Sequence, residues 1–173
     1  DLSKVATLID VNSSVASKTL TVADDASLKL SADIDTTLTV KYTDATAATA
    51  TDGVVTVDLN VADISGDLAL DVTADTVKTL NLVSTVASDD GNLVVTAGSS
   101  DVIVTGAAAL TFNASSTAAK IDASDASGVI TATASGTNEV VTTGSGRDVV
   151  TVTSTAATMA VNTSSGNDTI NTA

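Results

Sequence analysis

The chain has 173 residues and contains no His, Cys, Trp or Pro, with one Tyr, one Phe, one Met, one Arg and one Glu. Nucleophile–base pairs built on histidine or cysteine, and the usual transition-metal ligand sets, are therefore absent, and an ordinary enzyme is not expected. Its 21 Asp plus Glu against 7 Lys plus Arg give a formal charge of -14, which would repel nucleic acid and anionic lipid surfaces.

A hydrophobic fraction of 43% suffices for one domain, but aromatics at 1% leave Val, Leu, Ile and Ala to build the core. Such side chains suit thin stacked layers better than a wide interior. Without cysteine the fold needs no disulfide, which fits exposure to varying redox conditions at a cell surface. No uncharged apolar run of about 18 residues exists, so no membrane span is expected, and no signal peptide is visible. Asp1 at the start and a stop just after Thr169-Ile170-Asn171 suggest a piece of a longer protein.

From the N-terminus onward, short triplets read in-out-in, as strands with one buried face do. They are Leu20-Thr21-Val22, Leu28-Lys29-Leu30, Leu38-Thr39-Val40, Val55-Thr56-Val57 and Leu68-Ala69-Leu70, then Leu80-Asn81-Leu82, Leu93-Val94-Val95, Val102-Ile103-Val104 and Leu110-Thr111-Phe112. Their uneven spacing makes residues 1–127 an irregular ladder, with room for loops at Asp44 to Gly53 and Ala87 to Asn92. Lys120 near Asp122 and Asp125 is the one faint acid–base cluster, too poor in basic groups to suggest a polysaccharide-cleaving enzyme. From about Gly128 the ladder becomes regular, with Ile130, Val140, Val150, Ala160 and Ile170 spaced by ten. Glycine-bearing turns alternate with glycine-free ones, so the period implies 20 residues per coil. The expected fold is all-β, a parallel β-helix or β-roll-like solenoid, with residues 128–173 forming regular coils continuous with the first part. Thr-x-Thr pairs occur at Thr19/Thr21, Thr37/Thr39, Thr131/Thr133 and Thr151/Thr153. Because they do not recur at one coil-to-coil spacing, a flat threonine array of the kind that binds ice is not expected.

Chemistry concentrates in Gly144-Ser145-Gly146-Arg147-Asp148-Val149-Val150, which returns 20 residues later as Ser164-Ser165-Gly166-Asn167-Asp168-Thr169-Ile170. Stacked coils lie about 4.8 Å apart, so the turn carrying Asp148 should sit beside the turn carrying Asp168. Calcium takes six to eight oxygens, and glycine lets a turn aim its carbonyls inward. Gly144, Gly146, Ser164 and Gly166 would offer carbonyls, and Asp148 and Asp168 carboxylates. The competing reading is a solenoid corner in which Asp and Gly serve turn geometry alone. Weaker copies appear at Gly136-Thr137-Asn138-Glu139-Val140, on the opposite side, and at Ser99-Ser100-Asp101-Val102-Ile103, adding Asn138 and Asp101 as candidate ligands. Asp89-Asp90-Gly91-Asn92 reads as a solvated loop.

Thr143 to Thr151 resembles the RTX (repeats-in-toxin) nonapeptide G-G-x-G-x-D-x-U-x at every defining position but the first glycine, and Thr163 to Asn171 keeps a glycine, the aspartate and the aliphatic residue. This match covers at most a fifth of the chain. The remainder, rich in Thr, Ala, Ser, Val and Asp, is similar to the bacterial surface-layer (S-layer) proteins that carry such repeats. Those proteins form a two-dimensional lattice on the outer face of Gram-negative cells, need calcium to crystallise, and leave by type I secretion through an uncleaved C-terminal signal. The resemblance implies a secreted structural protein of the cell surface, with Ca2+ as its cofactor and itself as partner in a calcium-bridged lattice. Cell-surface polysaccharide would be contacted through other parts of the full protein. A large repetitive RTX adhesin using the same secretion route is the alternative.

Overall fold

Leu, Val and Ile alternate with Thr, Asp, Asn and Lys, so each short segment has one face to bury and one to leave in water. A single such strand cannot bury its face alone, and stacking many of them edge to edge does. The computed structural model describes residues 18–23, 27–31, 34, 37–43, 53–61, 63–64, 66–72, 77–88, 93–98, 100–114, 120–136, 140–153 and 158–172. Among these there is no helix and there are fifteen strands in two parallel sheets. One sheet stacks β1 (Lys18–Ala23), β3 (Leu38–Thr43), β5 (Leu68–Asp71), β7 (Leu93–Thr96), β9 (Leu110–Ala114), β11 (Ile130–Ala134), β13 (Val149–Val152) and β15 (Thr169–Thr172) in that order. Its counterpart stacks β2 (Ser27–Leu30), β4 (Gly53–Leu59), β6 (Val77–Ser84), β8 (Asp101–Gly106), β10 (Lys120–Asp122), β12 (Val140–Thr142) and β14 (Ala160–Asn162). The chain thus alternates between the sheets, one strand in each per coil, as a parallel solenoid does.

All nine in-out-in triplets lie in strands. Coil length varies along the stack: Lys18 pairs with Leu38, twenty residues on, and the next coils are longer. Leu38 pairs with Leu68, thirty residues on, and Leu28 with Val57. Leu110 pairs with Ile130, and Val149 with Thr169, each twenty residues on. After the longer coils the step returns to about twenty between β7 and β9, ahead of residue 128, from which the ten-residue spacing makes the ladder regular. Ser88 bridges to Leu110 while Val94 pairs with Asn113, so three extra residues enter between Ser88 and Val94. That is where a loop was expected, and residues 89–92 themselves lie outside the described residues, as do residues 44–52 of the other expected loop.

Two sequence expectations need correction. The ten-residue ladder has the wrong phase in one sheet: Ile130 and Val150 point inward, but Val140 is 45% exposed and Val141 is the buried residue of β12. Inward positions of this sheet are Ile121, Val141 and the partly buried Val161, in register with one another. The strand β10 was also missed, because Lys120-Ile121-Asp122 offers one apolar residue flanked by charges.

The core is one continuous cluster of Leu, Val, Ile and Ala running between the sheets, with Tyr42 and Phe112 as its largest members. The Tyr42 hydroxyl has no hydrogen-bond partner, and burial pushes its phenol well above the ordinary value near 10. The unfolded chain ionises at its ordinary value while the folded one resists, so this group's contribution to stability is complete below about pH 10 and falls as pH rises beyond it. Tyrosinate absorbance is expected to appear only together with loss of β-sheet circular dichroism. A free titration near pH 10 with the sheets intact would contradict the burial.

Candidate metal centre

The turn from β12 to β13, Thr143 to Asp148, is set by what each of its residues meets in the coil beneath. A Cβ on Gly144 would overlap the Ala126 carbonyl oxygen, and one on Gly146 would lie 2.5 Å from the Gly128 carbonyl oxygen and 2.6 Å from Asp148 Oδ1. Neither glycine has a positive φ, so both are required for lack of space and not for backbone freedom. One coil further, Gly166 combines both needs: its φ is 145°, and a Cβ there would overlap the Gly146 carbonyl oxygen. Ser164 takes φ 40° without being glycine, and is held by its amide donating to Asn162 Oδ1 at 3.1 Å and its hydroxyl donating to the Thr143 carbonyl at 2.7 Å. Carbonyls of Gly144 and Gly146 are thereby directed along the stacking axis into the next coil, with the Ser165 amide donating to the Gly144 oxygen at 3.4 Å.

Asp148 and Asp168 are brought together as expected. The Asp148 amide donates to Asp168 Oδ1 at 3.0 Å, and the Thr169 amide donates to the Asp148 carbonyl at 2.8 Å. The position of Asp148 was not legible. Since Thr131 pairs with Val149, Asp148 stands beside Ile130, which in turn pairs with Leu110, so the acid continues a column of buried aliphatic residues. Its side chain is fully buried. Oδ1 accepts the Ile130 amide at 2.8 Å, while Oδ2 has no partner. At the other end of the same turn Thr143 is also fully buried, and its Oγ1 has no partner either. Thr143 occupies the place of the first glycine in the repeat, and its own recurrence as Thr163 was the signal that could have flagged it.

An unpaired buried carboxylate oxygen is costly, and a hard cation is one way to offset it. Among the described residues no group of three or more His, Cys, Asp or Glu converges, so a cation here must draw on backbone carbonyls and hydroxyls beside the two aspartates. Asp148 Oδ2 and Thr143 Oγ1 are buried oxygens without partners at the two ends of the turn, and Asp168 stands one coil on; side-chain donors of this kind are all oxygen, which suits calcium better than a softer metal.

The remaining candidates lie elsewhere. Asp101 opens β8 on the outer face of the even-numbered sheet, at the corner opposite this turn, and pairs with Lys120 at 3.7 Å. Asn138 is outside the described residues. Asp122, of the faint acid–base cluster, accepts the Ser124 hydroxyl at 2.7 Å and amide at 3.1 Å. Those bonds, helped by Lys120, hold its carboxyl below the ordinary range, and Asp125 is exposed. No protein-family model, curated protein or solved structure matches the chain.

Proposed function

We propose that this chain is a structural segment of a secreted cell-surface protein, stapled by calcium at the Thr143–Asp148 turn and self-associating into a two-dimensional surface layer. Asp148 carries the reading. A carboxylate in the column of Leu110 and Ile130, with one oxygen unpartnered, makes little sense as a solubilising charge and good sense as an ion ligand. When bound, calcium would supply positive charge to the buried acid and bridge one coil to the next. Where calcium is scarce, as in cytoplasm, the last coils would be loosely held, and folding would follow export. The acidic surface gives calcium a second role between molecules, bridging like charges that would otherwise repel.

In millimolar calcium the protein is expected to form ordered sheets visible by negative staining. Chelation should disperse them, magnesium should fail to replace calcium, and reductant should have no effect because no cysteine exists. A protein that stays monomeric by light scattering at every calcium concentration would exchange the layer for the adhesin reading.

A further inference from the structure

The parallel register assembles a surface that the spacing of Thr-x-Thr pairs conceals. On the outer face of the odd-numbered sheet, Thr111 pairs with Thr131, Thr131 with Val149, and Val149 with Thr169. Two residues along each strand, Asn113 pairs with Thr133, Thr133 with Thr151, and Thr151 with Asn171. The step is twenty residues, then eighteen, then twenty, which is why no single period reveals it. In β9, β11 and β13 these positions alternate with residues packed in the core, so they face outward together.

The result is two adjacent rows over four consecutive coils. Strand spacing sets the rungs about 4.8 Å apart, and the two rows stand about 6.6 Å apart along the strands. Threonine carries a methyl and a hydroxyl on a β-carbon whose χ1 is stiff, and stacking against an identical neighbour removes more of its freedom. Val149 keeps the methyl. Asn171 Nδ2 lies 3.5 Å from Thr151 Oγ1, so the second row is linked along the stack. None of the eight positions carries a charge, in a chain of formal charge -14. The ion pair Lys41–Asp71, 3.9 Å apart on the same outer face, lies on β3 and β5, outside the four coils of the grid, and the even-numbered sheet carries Lys29 with Asp58 at 3.4 Å and Lys120 with Asp101 and Asp122.

We infer that this Thr/Asn face binds ice. A grid of five threonines, one valine methyl position and two terminal asparagine amides, spaced on the scale of water repeats in an ice face, can order the first layer of water into a lattice that merges with the crystal. Free charges, which hold their own hydration shells, would break that order, and they are missing from the grid. A sugar surface is the less suitable occupant, because stacking on sugar rings uses exposed aromatics and both Tyr42 and Phe112 are buried. The proposal goes beyond the calcium-dependent layer and does not depend on it.

The test uses the whole chain in millimolar calcium, with ice recrystallisation and crystal shape as the readouts. The wild-type protein should suppress recrystallisation and grow faceted crystals. Thr133→Tyr and, independently, Thr151→Tyr raise a ring above the grid and should each abolish both effects while circular dichroism stays unchanged. Thr142→Tyr, on the outer face of the even-numbered sheet, should retain them. Unshaped ice and normal recrystallisation with the wild-type protein would overturn the inference. So would full activity in a folded tyrosine variant at position 133 or 151, or retention on crystalline chitin or cellulose through these threonines with no effect on ice.

Discussion

Asp148→Asn is expected to change the sign of its effect on stability when calcium is added. Asparagine keeps an oxygen for the Ile130 amide but removes the charge whose second oxygen is buried without a partner. With chelator present, the variant should melt at the same temperature as the wild-type protein or higher, because burying an uncompensated carboxylate costs more than burying an amide. At calcium 100-fold above its dissociation constant the wild-type protein gains about 2.7 kcal/mol and the variant gains none, so the order reverses. Asp168→Asn should show a smaller version of this reversal, since that carboxylate is only partly buried. Thermal melts of the three proteins in chelator and in calcium decide the matter. A constant difference between wild type and Asp148→Asn in both conditions would reduce the acid to a corner residue.

Gly144→Ala should destabilise the protein by about 3 kcal/mol, the upper end of what overpacking usually costs. In a chain of this size that lowers the melting temperature by roughly 6 to 12 °C. The added methyl meets the Ala126 carbonyl of the coil below, a backbone atom that moves only if the two coils part. Parting them displaces the Gly144 carbonyl, so calcium stabilisation should weaken as well. Ser145→Ala is the control: that side chain is exposed, and its loss should stay within about 0.5 kcal/mol. Equal melting of Gly144→Ala and wild type would mean that the stack is looser than its register implies.

Much of this architecture is written in the alternation of single apolar and polar residues, which is why the nine early triplets all fold as strands. Alternation fails where it is doubled or interrupted. Two adjacent valines, Val140 and Val141, carry no phase, and the strand takes the one that sets Val141 in line with Ile121. Only Ile121 is apolar in β10, so that strand is defined by its neighbours. The pairing of Asp148 with Asp168 was legible because the repeat is local and its period equals one coil. The burial of Asp148 was not, since it follows from an eighteen-residue coil that slides the acid alongside Ile130. The same short coil hides the threonine rows: position along the chain and position on the surface differ by a register that only the pairing of strands reveals.

Among the described residues each strand lies edge to edge only with the strands two places before and after it, and none spans the whole stack. Such a molecule resembles a coiled spring more than a rod when pulled from its two ends. Tension along the stacking axis runs nearly parallel to the hydrogen bonds between coils, so it meets a few of them at a time and opens the stack one coil after another. Every released coil of twenty residues could extend to roughly 70 Å from a rise of about 5 Å. Ions seated between the coils of the Asp148 and Asp168 turns would then act as a clutch, setting the load at which that end of the spring begins to yield.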